Sequence, residues 1–159
     1  MAILTGDEVV EIAIRLEEDG EAFYHAAAEK ASTRGVKALF EELATQEQFH
    51  RRAFQQMGRG TVEVALSPEE WDEFRAYTDA LLQQSLFARP GAALSQATEA
   101  HDEQMVLKDA LNFEKETLLF FHELREAVGG AGVQTVSRII QEERQHIQRL
   151  SAMLATFSE

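Results

Sequence analysis

Apolar residues recur along this chain at alternating intervals of three and four, the spacing that keeps one stripe of an α-helix turned towards its neighbours. Four stretches carry the pattern. The first reads Val10, Ala13, Glu17, Gly20, Tyr24, Ala27, Ala31, and the second Val36, Phe40, Leu43, Glu47, His50, Phe54, Met57. The third reads Leu107, Ala110, Glu114, Thr117, Phe121, Leu124, Val128, and the fourth Val136, Ile139, Glu143, His146, Leu150, Met153, Phe157. A core-facing stripe should be apolar throughout. Each of these is interrupted by a carboxylate, and the second and fourth also by an imidazole three residues later.

Local signals place the boundaries. Thr5, Gly6 and Asp7 can cap a helix that begins near Glu8. Ser32 to Gly35 form a break short enough to make the second helix an antiparallel neighbour of the first, and Gly58 suits its C-terminal end. In LSPEEW, Ser67 is a cap, Pro68 fits the first helical position, Glu70 completes a capping box and Leu66 can staple onto Trp71. Trp71, Phe74, Thr78, Leu81 and Ser85 then form one face of a short helix, with Trp71 expected to pack on the bundle. Arg89, Pro90 and Gly91 end that helix, Ser95 or Thr98 opens the third long one, and Gly129 to Gly132 turn the chain into the fourth, which runs to near Phe157. Gly20 costs about 1 kcal/mol in a helix relative to alanine, which implies close packing or open space one turn from Glu17. Runs of β-branched residues are nearly absent. The expectation is an all-α antiparallel four-helix bundle over residues 1–159, a single domain with hairpins at about 8–57 and 98–158 and a crossover at 58–94 carrying a short extra helix.

The two hairpins are related. A shift of 97 residues lays AIRLEEDGEAFYH at 13 onto ALNFEKETLLFFH at 110, matching Glu17 with Glu114 and Phe23 with Phe120. A shift of 96 lays Glu47 and His50 onto Glu143 and His146. Residues three apart on a helix lie about 60° apart around the axis and about 4.5 Å along it, so each Glu and His pair can reach one ion. A lone Glu-x-x-His in an acid-rich helix is usually a solvated face. Here four carboxylates and two imidazoles lie on apolar stripes, in register between halves. Buried and unpaired, four carboxylates would cost several kcal/mol each or be forced to neutralise. Two divalent cations would cancel their charge, so a buried two-metal site at Glu17, Glu47, His50, Glu114, Glu143 and His146 is expected.

Composition narrows the chemistry. A net charge of −13, from 28 acidic against 15 basic residues, disfavours nucleic acid and anionic membrane surfaces as partners. No cysteine is present, which excludes disulfides, thiolate zinc sites and iron-sulfur clusters. Oxygen and imidazole donors without sulfur suit iron or manganese, whereas six side chains exceed the usual tetrahedral set of zinc. The N-terminus has no basic, apolar leader pattern and no window resembles a membrane span, so a cytoplasmic location is expected.

Glu17 with Tyr24 seven residues later, EQFH at 47 to 50, Glu114, and ERQH at 143 to 146 together resemble the rubrerythrin family of ferritin-like di-iron carboxylate bundles, over nearly the whole chain. The resemblance implies that Glu17 and Glu114 are metal ligands, terminal or bridging, that Glu47 with His50 and Glu143 with His146 complete the two positions, and that Tyr24 stands beside them. It also implies two iron ions, reaction of the reduced centre with hydrogen peroxide or dioxygen, and a homodimer. Departures are visible. Peroxidase members carry a further carboxylate one turn after the third-helix glutamate, where this chain has Thr117; this shifts the ligand set towards ferroxidase centres, in which Fe²⁺ is the substrate. Tyr24 has Phe121 as its repeat partner. Without cysteine there is no built-in rubredoxin domain, so electrons must come from a separate donor or from Fe²⁺ itself. A di-manganese catalase-like activity and a metal-free structural bundle are the remaining alternatives. Glu18, Asp19, Glu116 and Glu142 point away from the stripe and are expected to be solvated or inter-helix groups, His25 and His122 to lie at its boundary, and His101 to have no partner at ligand spacing.

Overall fold

The computed structural model describes residues 5–60, 62–83, 92–99 and 102–158. Four helices of 25 residues each, about 37 Å long, make up most of the molecule: α1 (Gly6–Lys30), α2 (Arg34–Gly58), α5 (Glu103–Ala127) and α6 (Ala131–Ala155). Two shorter helices, α3 (Pro68–Gln83) and α4 (Ala92–Glu99), lie in the crossover. A 3₁₀ turn at Thr156–Ser158 follows α6. Among the described residues there is no β-strand, only an isolated antiparallel bridge between Val64 and Val128. The architecture is the expected all-α bundle.

Bundle neighbours run antiparallel. Along α2 and α6, His50 meets Glu142, Gln46 meets His146, and Glu42 meets Arg149, so the two helices pass in opposite directions. The end of α1 lies against the start of α5, where Ser32 N and Thr33 N donate to Glu103 Oε1, both at 2.6 Å. Of the four stripes, every member is buried except Ala31, Met57 and Met153, which are partly exposed at helix ends, and Phe157, which is 36% exposed. Phe157 sits beyond the end of α6 in the 3₁₀ turn, where the three-and-four spacing no longer holds. Helices α1 and α5 bury a wider face than α2 and α6, including Leu16, Phe23, Phe113 and Phe120, because α4 packs on both of them and α3 on α5.

Capping residues do what their chemistry predicts. Thr5 and Glu8 form a reciprocal capping box at the start of α1. Ser67 and Glu70 do the same at α3, with Ser67 N donating to Glu70 Oε2 at 2.8 Å. Trp71 stacks on Phe74 at 5.2 Å and is partly buried against the core. One boundary differs from expectation. Neither Ser95 nor Thr98 opens the third long helix: both lie within α4, and Thr98 Oγ1 donates back to Ser95 O at 2.9 Å. The cap of α5 is Asp102, whose carboxylate accepts from Met105 N at 2.7 Å. Among its described residues the crossover therefore holds two helices in place of one. Ser85, Arg89, Pro90, Gly91 and His101 lie outside the described residues. The segment after α2 is tied to the α5–α6 turn by Ala65 N to Ala127 O at 2.9 Å and Gly129 N to Glu63 O at 2.8 Å. Gly130 makes that turn with φ 60° and ψ −140°, a conformation that only glycine adopts without strain.

Candidate metal centre

All six metal-ligand side chains expected from the sequence meet at mid-bundle, one from α1, two from α2, one from α5 and two from α6. Glu17, Glu47, Glu114, Glu143 and His146 are 0% exposed and His50 is 2% exposed. They form two overlapping groups, Glu17, Glu47, His50 and Glu143, and Glu47, Glu114, Glu143 and His146. Within each group the candidate ligand atoms lie within 4.8 Å of one another. Glu47 and Glu143 belong to both groups; Glu17 with His50, and Glu114 with His146, belong to one each. The shared pair could thus contact both ions, and Glu17 and Glu114 one each.

Each imidazole turns Nδ1 inward and Nε2 outward. His50 Nδ1 lies 2.9 Å from Glu143 Oε1 and 3.7 Å from Glu17 Oε2, while its Nε2 meets Glu142 Oε2 at 2.6 Å. His146 Nδ1 lies 3.0 Å from Glu143 Oε2, 3.2 Å from Glu47 Oε1 and 3.4 Å from Glu114 Oε1, while its Nε2 meets the Gln46 side-chain oxygen. The two rings face each other at 5.4 Å, tilted by 18°. An outward hydrogen bond on Nε2 fixes the ring and its tautomer with Nδ1 left as the donor to an ion. Tyr24, fully buried, donates its hydroxyl to Glu114 Oε1.

Many of the inward-facing atoms have no aligned hydrogen-bond partner: both oxygens of Glu17 and of Glu47, Glu114 Oε2, Glu143 Oε2 and His146 Nδ1. Several are close enough for ion pairing, as the distances to His146 show, but the angles are not those of hydrogen bonds. A folded protein seldom leaves so many buried polar atoms unsatisfied in one place. A donor set of four carboxylates and two imidazoles, its free lone pairs converging on two overlapping points, fits two divalent cations.

The protonation pattern without metal agrees. Burial pushes Glu17 above the usual carboxylate range, and it pushes Glu47 and Glu114 well above it, helped by the Glu143 charge. Burial alone would also raise Glu143, but the His146 and His50 imidazoles outweigh it and hold Glu143 well below that range. Burial would lower both histidines; the carboxylates around them, Glu17 for His50 and Glu143 for His146, reverse this and drive both upward. The shifts favour charge on Glu143 and on the two imidazoles, and favour protons on Glu47 and Glu114. Those protons are what cations would displace.

Gly20, one turn beyond Glu17, is the close approach that the sequence implied. A Cβ there would stand 2.8 Å from Glu47 Oε2 and 2.8 Å from Phe113 Cζ. Its repeat partner Thr117 is 1% exposed and its hydroxyl has no hydrogen-bond partner. His25 and His122 stay outside the cluster; His25 is 63% exposed. Sequence reasoning missed Gln46, and it did not give Glu142 its contact with His50. The signal was available, since the shift of 96 that superposes the Glu-x-x-His pairs also lays Gln46 on Glu142. A cleft lined by Gln46, Phe49, His50, Arg138, Glu142 and Gln145 opens at the α2–α6 face and reaches His50.

Residues 8–154 match the family model described as rubrerythrin. The fold is similar to the crystal structure of a Thermotoga maritima protein assigned as a ferritin-like diiron-carboxylate protein, with a TM-score of 0.66, 23% identity, and coverage of 98% of this chain and 97% of that one. No curated relative matches the chain.

Proposed function

Because this chain belongs to the rubrerythrin family, we propose that it is a di-iron oxidoreductase whose buried centre reduces hydrogen peroxide or dioxygen. The observation that carries the reading is the convergence of unsatisfied carboxylate and imidazole atoms into two overlapping groups that share Glu47 and Glu143. Two iron ions held there would supply one electron each, the two needed to reduce one peroxide, H₂O₂ + 2H⁺ + 2e⁻ to 2H₂O. The chain's own residues do the rest. Glu17 and His50 would hold one ion, Glu114 and His146 the other, and the shared carboxylates would keep the pair together. Phe54, Phe121 and Ile139, all fully buried, keep bulk water out. Tyr24 fixes the orientation of Glu114 through its hydroxyl. Glu142, partly exposed and hydrogen-bonded to His50 Nε2, connects the buried side of the cluster to solvent at the α2–α6 cleft, where a molecule as small as peroxide can approach. Electrons come from a separate donor protein, and the working unit is a homodimer, which light scattering over a dilution series tests.

A ferroxidase is the second reading, favoured by Thr117: a buried hydroxyl stands one turn after Glu114, so the ligand set stops at six residues. Stopped-flow oxidation separates the two. Reduced, iron-loaded protein mixed with peroxide should oxidise two Fe²⁺ per H₂O₂ once and stop until a reductant is added. Many turnovers with excess Fe²⁺ and a mineral product would establish the ferroxidase instead. Protein produced with iron that shows no oxo-bridged di-iron absorbance and binds less than one metal per chain would rule out both.

A further inference from the structure

The internal repeat surrounds the two ion positions with equivalent groups, and two of the places where it fails favour the same position. Behind His50 Nε2 stands the Glu142 carboxylate, at 2.6 Å; behind His146 Nε2 stands the neutral amide oxygen of Gln46. Beside Glu114 stands the Tyr24 hydroxyl, which donates to it; the repeat partner of Tyr24 is Phe121, which has no hydroxyl, and both oxygens of Glu17 are without a hydrogen-bond partner.

Both differences have a direction. An imidazole that ligates through Nδ1 keeps its proton on Nε2, and a carboxylate accepting that proton leaves more electron density on Nδ1 than a neutral amide does. His50 is therefore the stronger donor. A hydroxyl donating to a carboxylate occupies one lone pair and draws charge away from the ion, so Glu114 is a weaker donor than Glu17. We propose that these departures make the two positions unequal: the one formed by Glu17 and His50 takes up a divalent ion first, and the one formed by Glu114 and His146 second, with Glu47 and Glu143 common to both. The inference rests on the metal-binding reading above and adds to it an order of filling. Glu142 and Gln46 act as positioning residues, through the histidines they hold.

Mn²⁺ is a suitable probe, because an isolated ion and a coupled pair give different electron paramagnetic resonance spectra. Titration of the metal-free protein should show two calorimetric steps with dissociation constants at least about 10-fold apart. The isolated-ion signal should dominate at one equivalent and give way to the coupled pair at two. In crystals prepared with one equivalent, the anomalous signal of manganese should lie at Glu17 and His50. Glu142→Gln should weaken the first step by about 10- to 100-fold and merge the two. The pair Tyr24→Phe with Gln46→Glu should strengthen the second step, and it keeps the proposal testable if Glu142→Gln does not fold. Equal half-filling of both positions at one equivalent, or a wild-type isotherm unchanged by either set of substitutions, would overturn the order of filling while leaving the metal centre intact. Absence of any Mn²⁺ binding would instead overturn the reading beneath it.

Discussion

Gly20→Ala puts one methyl group against the centre. The new Cβ would stand 2.8 Å from Glu47 Oε2 and from Phe113, whereas ordinary contact begins at 3.4 Å, so both side chains must yield by about 0.6 Å. Alanine gains about 1 kcal/mol over glycine within a helix. Overpacking a close-packed site costs roughly 1–3 kcal/mol. The metal-free variant should accordingly range from unchanged to about 2 kcal/mol less stable than wild type. The larger effect concerns cations. Glu47 belongs to both ligand groups, and a shift of this size exceeds the roughly 0.5 Å tolerance of a preorganised site. A tenfold loss of affinity corresponds to about 1.4 kcal/mol. Mn²⁺ at one hundred times its dissociation constant stabilises wild type by about 2.7 kcal/mol per site, and roughly half of that should survive in the variant at the same concentration. Thermal denaturation with chelator and with Mn²⁺ measures both numbers. A variant that gains the full helical increment and keeps the whole Mn²⁺-dependent shift would refute the claim that Gly20 makes room for a ligand.

Glu47→Gln, in which an amide replaces a carboxylate whose pKa burial pushes well above the usual range, should leave metal-free stability within about 1 kcal/mol and remove most of the Mn²⁺-dependent shift. Glu143→Gln removes the counter-charge of two imidazolium rings and should cost about 3–5 kcal/mol by urea denaturation in chelator. The metal-free protein should lose stability as pH rises between roughly 5 and 8. Glu17, Glu47 and Glu114 are raised above 4.5, and His50 and His146 above 6.5, so the folded cluster binds more protons than its unfolded residues in that window, opposed only in part by His122, which burial and Arg125 lower. Glu143, which is lowered, contributes stability that is lost only at more acidic pH. The Mn²⁺-dependent shift should grow with pH over the same interval, since ions displace those protons; urea midpoints at several pH values, with and without Mn²⁺, check both slopes. Gly130→Ala forces a side chain into φ 60° and ψ −140° against Glu63, so it should destabilise by about 1–3 kcal/mol while leaving Mn²⁺ affinity unchanged, as isothermal calorimetry would show.

Helix positions and the six converging side chains were legible because one periodicity governs both: Glu17, Glu47, Glu114 and Glu143 had to be buried once their stripes were. The start of α5 was less legible. Ser95, Thr98 and Asp102 are all competent caps, and only the contacts of Glu103 with Ser32 and Thr33 show which one the fold uses. Which carboxylates are shared could not be read from spacing, since it depends on how the two hairpins dock across α2 and α6. Gln46 and Glu142 occupy positions that on an isolated helix face solvent; their place behind the histidines arises because α2 and α6 pass close enough for each to reach the other's imidazole. The Val64–Val128 bridge has no periodic signature at all, being a contact between two loops.

Whether the buried cluster holds two metal ions is decided by diffraction from protein produced with iron, recorded on either side of the iron and manganese absorption edges. Two anomalous peaks are expected within the cluster, one at Glu17 and His50 and one at Glu114 and His146, each adjoining Glu47 and Glu143. Density showing the six side chains closed on one another, with no anomalous peak among them, would contradict a two-metal cluster.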